Sequence, residues 1–292
     1  MSVQVYDRVR GTVYDEPQYG EKRLHFLYNT TPGRILLGAM FARPWYSNLN
    51  AILNRTHYST RKIGPFIRRF NIDMTEYPGQ IYTSYDSFIT RKIDPSRRPI
   101  AAKPNALIAV ADSRLQAYSI TDDGRIPVKQ GSYTITEMLR DPDLAATYKY
   151  GTCLVFRLST PDYHRYCFAG DGQVIRVHTI KGMLHSVQPV SAERYRPFSE
   201  NCRQYSVIET LNFGTVVTVE VGALLVGRIH NYEITTCQRG QEKGHFSLGG
   251  STICLLLKPD TVKIDSDIME YSQKNIETKV RLGEKIGEKV HA

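Results

Sequence analysis

Apolar and polar positions follow two different patterns along the chain. In the first third, apolar residues recur at helical spacing. Ser47 reads as the cap of a helix that carries Leu49, Ile52 and Leu53 on one face. Ile63, Phe66, Ile67 and Phe70 share a second helical face, with Arg61, Arg68 and Arg69 directed away from it. Pro65 suits a first turn, which places the start of that helix near Gly64. Beyond residue 100 the runs become short and rich in Val, Ile, Leu and Tyr: Asn105 to Ile120, Thr152 to Leu158, Gln173 to Ile180 and Tyr205 to Leu211. Thr215 to Val221 alternates as a strand exposed on one side would. Asp123-Gly124, Asp171-Gly172 and Gly240 punctuate the runs, and one short helix is expected from about Thr136 to Tyr148, broken at Pro142. The tail from Lys263 to Ala292 mixes Lys and Glu with few apolar residues and is expected to be partly ordered. The pattern predicts an α+β fold: a β-rich body with a helical, basic N-terminal region, divided as residues 1–75 and 76–292.

Composition adds little to this division, but charge adds more. A hydrophobic fraction of 41% and a charged fraction of 23% over 292 residues suit a globular chain. The net charge of +9 favours anionic partners, nucleic acid or anionic lipid. Between Glu21 and Asp73 no acidic residue interrupts Lys22, Arg23, Arg34, Arg43, Arg55, Arg61, Lys62, Arg68 and Arg69, and apolar side chains including Phe41, Trp45 and Phe66 lie among them. Such a stretch suits docking on an anionic membrane, and equally a packed helical segment with a solvated basic face. No apolar run is long enough to span a bilayer, and the polar N-terminus does not resemble a signal peptide. The five cysteines are widely spaced and no pair has zinc-finger spacing, which implies a reducing compartment and no disulfide framework.

The densest chemical signal is Lys243-Gly244-His245-Phe246-Ser247-Leu248-Gly249-Gly250-Ser251-Thr252-Ile253. Two glycines before a serine permit a tight, strained turn in which the Ser251 hydroxyl reaches the Gly250 carbonyl. Attack there converts the amide to an ester, β-elimination releases the first chain, and hydrolysis of the dehydroalanine leaves a pyruvoyl group and ammonia. Gly-Gly-Ser-Thr alone also suits an ordinary loop between strands. Other segments give it context, in this order: Phe70-Asn71-Ile72-Asp73-Met74-Thr75-Glu76-Tyr77, Ser87-Phe88-Ile89-Thr90-Arg91-Lys92, Arg97-Arg98-Pro99-Ile100, Val110-Ala111-Asp112-Ser113, Pro161-Asp162-Tyr163-His164-Arg165-Tyr166, His185-Ser186-Val187-Gln188-Pro189 and Phe198-Ser199-Glu200-Asn201-Cys202-Arg203. Val221-Gly222-Ala223 and Val226-Gly227 then precede the Gly-Gly-Ser-Thr segment. In order and spacing, over roughly residues 60 to 290, these resemble the phosphatidylserine decarboxylases, which are self-processing and pyruvoyl-dependent.

The resemblance implies self-cleavage between Gly250 and Ser251 into a β chain of residues 1–250 and an α chain of residues 251–292. The pyruvoyl group made from Ser251 would form a Schiff base with the serine amine of phosphatidylserine and act as electron sink while carbon dioxide leaves, giving phosphatidylethanolamine. No metal is called for. Ser251 needs a base, and the resemblance assigns Asp112 as the orienting carboxylate and the Asp162–Cys167 segment as the histidine side of a triad. Many relatives carry a second histidine where this chain has Cys167. The base is therefore expected to be His164, with His185 as its rival and Cys167 as a small packing residue. The expected partners are phosphatidylserine in an anionic membrane and the two chains of one precursor, with a homodimer left open and no nucleic acid. The expected location is peripheral, on the cytoplasmic face of a membrane. Two alternatives remain: a pyruvoyl-dependent decarboxylase of a soluble amino acid, and a basic nucleic-acid-binding module.

Overall fold

The computed structural model describes every residue except Met1, Tyr19, Lys129, Gln130, Glu193, Val226, Gly227, Gly249, Gly250, His291 and Ala292. Ten strands of the described residues form one sheet, in the spatial order Thr236–Cys237, Gly172–Ile180, Arg203–Thr210, Gly214–Val221, Ser251–Leu257, Thr152–Leu158, Ser113–Ser119, Glu277–Val280, Ser2–Asp7 and Thr12–Pro17. All neighbours are antiparallel except Ser2–Asp7, which runs parallel to Glu277–Val280. Ser251–Leu257 lies in the middle, with Val221 opposite Thr252 on one edge and Leu158 opposite Ser251 on the other. Every residue of this strand is buried, because both faces of the sheet are covered. Ile253, Leu255 and Leu257 face one apolar cluster with Phe156, Leu158, Tyr166 and Phe246. Cys254 and Leu256 face another, with Val155, Val219, Tyr133 and Phe198.

The first cluster is roofed by a three-stranded sheet of Arg228–Asn231, Glu242–Ser247 and Arg165–Cys167. The second is covered by the hairpin of Arg125–Val128 and Gly131–Thr134 and by the helices Ile135–Leu139 and Pro142–Ala146. The expected break at Pro142 is present: Asp141 caps a new helix there, and the proline takes its first turn. The roof corrects one expectation. Gly214–Val221 was expected to expose one side, yet Val216 to Val221 are all buried. Its polar positions lie beneath the roof, where Glu220 pairs with Lys243 Nζ at 2.9 Å.

The N-terminal 75 residues are not helical throughout. Ser2–Asp7 and Thr12–Pro17 form a hairpin on the edge of the main sheet, and helix begins at Glu21. Ser47 is not a cap. The helix Pro44–Asn54 starts at Pro44, with Arg43 as its N-cap, and Ser47 is buried within it. Leu49, Ile52 and Leu53 point outward, while Ser47, Ala51 and Asn54 face the protein. In the next helix, Ile63–Phe70, the expected face does turn inward: Phe66 packs with Ala51, Phe88, Ile89 and Leu248. The tail is ordered through Val262–Ile264, Ser266–Gln273, Glu277–Val280 and Lys285–Lys289, each tied to strands or helices of the body.

A buried ion network joins these parts. Arg157 binds Glu277 through contacts of 2.5 to 3.1 Å and Glu16 at 3.2 Å. Arg114 binds Asp162 at 2.7 and 2.8 Å and also Glu16. The N-terminal hairpin, the segment before His164 and the C-terminal strand are thereby held by two arginines. Removing one charge strands its partner in a medium that solvates it poorly. We expect Glu277→Gln to cost about 3 kcal/mol, read as a lowered denaturant midpoint in a Ser251→Ala background. An unchanged midpoint would mean that Glu16 alone satisfies Arg157.

Candidate active site

Between Ser247 and Ser251 the chain leaves the roof sheet and enters the centre of the main sheet. Leu248 makes the crossing in a left-handed conformation, with φ of 61°. That region is costly for a branched side chain and persists only where packing imposes it. Here the Leu248 side chain is anchored in the cluster of Phe66, Phe88 and Ile89. Gly249 and Gly250, and with them the expected cleavage site, lie outside the described residues.

Alternation along the strand puts Ser251 on the face of Ile253 and Leu255, under the roof sheet, and Thr252 on the other. Ser251 is completely buried, and its Oγ has no hydrogen-bond partner among the described residues. A buried hydroxyl without a partner is costly, so its persistence at this position is informative.

Two histidines lie on segments tied to the strands that neighbour Ser251, one on each side. His164 follows the turn that leaves Leu158, the residue opposite Ser251, and its carbonyl accepts from the Phe246 N–H at 3.0 Å. Its Nε2 lies 3.0 Å from the Thr160 carbonyl, a contact that requires the hydrogen on Nε2 and leaves the Nδ1 lone pair free. Burial lowers its pKa to about 4, with Arg91 adding to the effect, so the imidazole is neutral at ordinary pH. His185 lies on the Gly222 side. Asn201 grips the His185 backbone N–H and carbonyl at 2.8 Å each, and also holds the Gly222 carbonyl at 2.7 Å. The His185 ring stacks on Tyr195 at 4.0 Å, its Nδ1 is likewise unpartnered, and burial lowers its pKa to about 4.

Asp112 occupies a different setting from the one expected. Its carboxylate is clamped by Arg98 Nε and Nη2 at 2.6 to 3.0 Å and accepts the Leu282 N–H at 2.8 Å. No hydrogen bond joins it to His164 among the described residues, because the His164 ring is turned to Thr160. Besides its partner Arg98, Asp112 influences the ionisation of Cys167, Tyr77 and Tyr163. Burial, reinforced by that carboxylate, pushes the thiol up to about 12. Cys167 is therefore a protonated, buried thiol at neutral pH, unsuited to accept a proton from serine.

Several residues that organise the site were not singled out by pattern. Arg91 is buried and donates to the Pro161 carbonyl at 2.9 Å, holding the loop before His164. Arg165 returns the grip on the Thr90 carbonyl at 2.7 Å. Arg203 donates to the carbonyls of Glu137, Met138 and Asn201 at 2.6 to 2.8 Å. Each lies inside one of the ordered sequence segments, which is the signal that could have found them.

The chain matches the family model described as phosphatidylserine decarboxylase over residues 85–288. It is 49% identical over 288 residues to "Phosphatidylserine decarboxylase proenzyme 2" of Clostridium acetobutylicum, covering 99% of both chains. It is 36% identical over 294 residues to the "Phosphatidylserine decarboxylase proenzyme" of Clostridium botulinum, covering 99% of each, and 37% identical over 292 residues to that of Desulfitobacterium hafniense, covering 98% of each. A family-model match over residues 85–288 and 49% identity to a relative across nearly the whole length show that this chain belongs to the phosphatidylserine decarboxylase family.

Proposed function

We propose that the chain cuts itself before Ser251 and then decarboxylates phosphatidylserine to phosphatidylethanolamine at the group formed there. The observation that carries this reading is the Ser251 hydroxyl: buried, without a hydrogen-bond partner among the described residues, and placed at the head of the central strand, shortly after the left-handed Leu248. His164 is the favoured base, since its Nδ1 and the Ser251 Oγ are both buried without a hydrogen-bond partner among the described residues. Nδ1 takes the hydroxyl proton as Oγ adds to the Gly250 carbonyl. The C–N bond then breaks, and the nitrogen of residue 251 takes up a proton. Loss of the Ser251 Cα proton and of the Cβ–Oγ bond releases a carboxylate at Gly250. Hydrolysis of the remaining dehydroalanine yields the pyruvoyl group and ammonia.

An unpartnered hydroxyl at this position fits that origin for the group, and the pyruvoyl carbonyl supplies an electrophile and electron sink for an amino-acid head group. The protein's part is to keep it still. Pairing on both edges of 252–257 is untouched by a cut before residue 251, Glu277–Val280 of the α chain remains between Ser2–Asp7 and Ser113–Ser119 of the β chain, and Lys285–Lys289 remains paired with Ala106–Ile108. Asp112, locked by Arg98, acts by fixing the floor beneath Cys167 and the 282 turn.

The lipid substrate calls for a surface. Among the described residues no helix is long and apolar enough to cross a membrane. The Pro44–Asn54 helix, however, exposes Trp45 (54%), Leu49, Ile52 (62%) and Leu53, with Ile35 and Leu36 exposed on the preceding segment. Arg61, Lys62, Arg68 and Arg69 are exposed on the neighbouring turns. This combination supports peripheral docking on an anionic bilayer. Phe66, an expected apolar contact, is buried and takes no part. The soluble-amino-acid alternative leaves the outward apolar face without a purpose.

Intact mass should resolve chains of residues 1–250 and 251–292, the second blocked by pyruvoyl, that coelute without denaturant. Ser251→Ala should remain one inactive chain. His164→Ala should slow cleavage severely and Cys167→Ala only mildly. Maturation of His164→Ala at the normal rate, with failure of His185→Ala, would move the base to His185. Because the His164 pKa is lowered to about 4, cleavage should be nearly constant from pH 8 to 5 and decline only as the imidazole protonates near pH 4. A midpoint at the unperturbed value of about 6.5 would show a solvated base.

Vesicle co-sedimentation tests docking. Replacing Arg61, Lys62, Arg68 and Arg69 with Gln should weaken binding to phosphatidylserine vesicles by up to about 1 kcal/mol per charge at low salt. Trp45→Ser with Ile52→Ser should weaken it at any salt concentration. Binding indifferent to both sets would place the contact on another surface.

A further inference from the structure

A cavity opens one strand away from Ser251, on the face of the main sheet to which Ser251 points. Pro44 and Asn48 of the outward helix form one wall, and Leu184, Gln204, Gly222 and Arg228 are among the residues that complete it. Gly222 directly follows Val221, the partner of Thr252, so the cavity reaches about one strand spacing, roughly 5 Å, from the position of Ser251. The floor is rigid: the Gly222 N–H donates to the Cys202 carbonyl at 2.9 Å and its carbonyl accepts from Asn201. A side chain there would be a tight fit, with its Cβ 3.0 Å from Leu184 Cδ2 and 3.2 Å from the Cys202 carbonyl oxygen.

Two guanidinium groups border the cavity, and they differ in one respect. Arg203 is spent on three backbone carbonyls. Arg228 is exposed and makes no ion pair or side-chain hydrogen bond among the described residues. Arg228 pairs in register with Ser247, the last strand residue before the crossing to Ser251. A free guanidinium therefore lines the cavity on the strand that pairs with the reacting segment.

Three kinds of surface meet here: the exposed apolar side chains of Trp45, Leu49 and Ile52 on the helix that lends Pro44 and Asn48 to the cavity, the exposed Arg228 in its lining, and Gly222, which follows the partner of Thr252. A phospholipid with a serine head group offers a match for each: apolar chains, phosphodiester, amino acid. We propose that Arg228 binds the phosphodiester of the substrate in this cavity, through the paired N–H groups that match guanidinium to phosphate oxygens. With the phosphodiester fixed there, the serine amine lies towards Ser251 and the acyl chains towards the apolar helix. This inference rests on the decarboxylase reading and extends it to a specificity-determining residue.

The test uses wild type, Arg228→Gln and Arg228→Lys, each confirmed as fully cleaved by intact mass. Carbon dioxide release is measured with two substrates, short-chain phosphatidylserine and glycerophosphoserine, the second having no acyl chains. The expected result is a KM raised on the order of tenfold or more by Arg228→Gln on both substrates, with kcat changed far less and Arg228→Lys intermediate. An unchanged KM for glycerophosphoserine overturns the inference, because a phosphodiester contact does not depend on acyl chains. A loss confined to the acylated substrate assigns Arg228 to the bilayer surface and also overturns it. A fall in kcat at constant KM does the same, placing Arg228 in the chemistry or the packing. Wild-type protein that is cleaved yet inactive on both substrates defeats the decarboxylase reading itself, and this inference with it.

Discussion

The pairing of Ser251–Leu257 on both of its edges is the constraint on which the rest of the molecule depends. A strand in the middle of a ten-stranded sheet, apolar on both faces, has no freedom to shift or rotate. Its first residue is therefore held as firmly as its centre, and that residue carries the unpartnered hydroxyl. The same pairing separates the fate of the backbone from the fate of the fold. A break before residue 251 removes a connection between two sheets but no rung of either ladder. A fold held by ladders on both sides of a connection does not need that connection to persist, which is the condition a self-cleaving precursor must meet.

Around this strand the loops are fixed by buried charge rather than by apolar packing alone. Arg91 and Arg165 exchange grips between the 88–91 and 161–165 segments. Arg98 locks Asp112, and Asn201 ties His185 to Gly222. Burying such groups costs several kcal/mol each before their partners offset it. Apolar side chains would stabilise the same loops at less cost, but they tolerate sliding, whereas a guanidinium aimed at one carbonyl does not. The consequence is geometric. His164 is oriented so that Thr160 takes one ring nitrogen and leaves the other bare.

The sequence revealed those parts of the fold whose burial is uniform. Thr152–Leu158 was legible as an unbroken apolar run because both of its faces are covered. Gly214–Val221 was legible as a strand but not in its exposure. Thr218 and Glu220 look solvent-facing until Lys243, 23 residues away, is folded over them. The N-terminal hairpin was missed because its outer strand is mostly exposed and polar, so it gives no apolar signal. In the site, Ser251 and the two histidines stood out through the order of the surrounding segments. The clamp on Asp112 did not, since nothing in the sequence says that Arg98, rather than an imidazole, holds the carboxylate. Nor can spacing alone reveal which nitrogen of His164 meets a carbonyl.

The Pro44–Asn54 helix shows where periodicity misleads and why the error is informative. Leu49, Ile52 and Leu53 form the apolar face that ordinarily turns inward. Here the small and polar side does so instead, because that side is anchored: Lys62 donates to Asn54 Oδ1 at 2.8 Å, and Ser59 donates to the Asn54 carbonyl at 2.8 Å. Each large apolar side chain left outside forgoes roughly 1.5–3 kcal/mol of burial. A cluster of them on one face is hard to reconcile with water as the only neighbour. An apolar phase that covers this face would recover that free energy. Pro44 and Asn48 of the same helix border the cavity beside Ser251. Surface contact and chemistry are then adjacent, and a lipid need withdraw only its head group from the bilayer, leaving the acyl chains where transfer costs nothing.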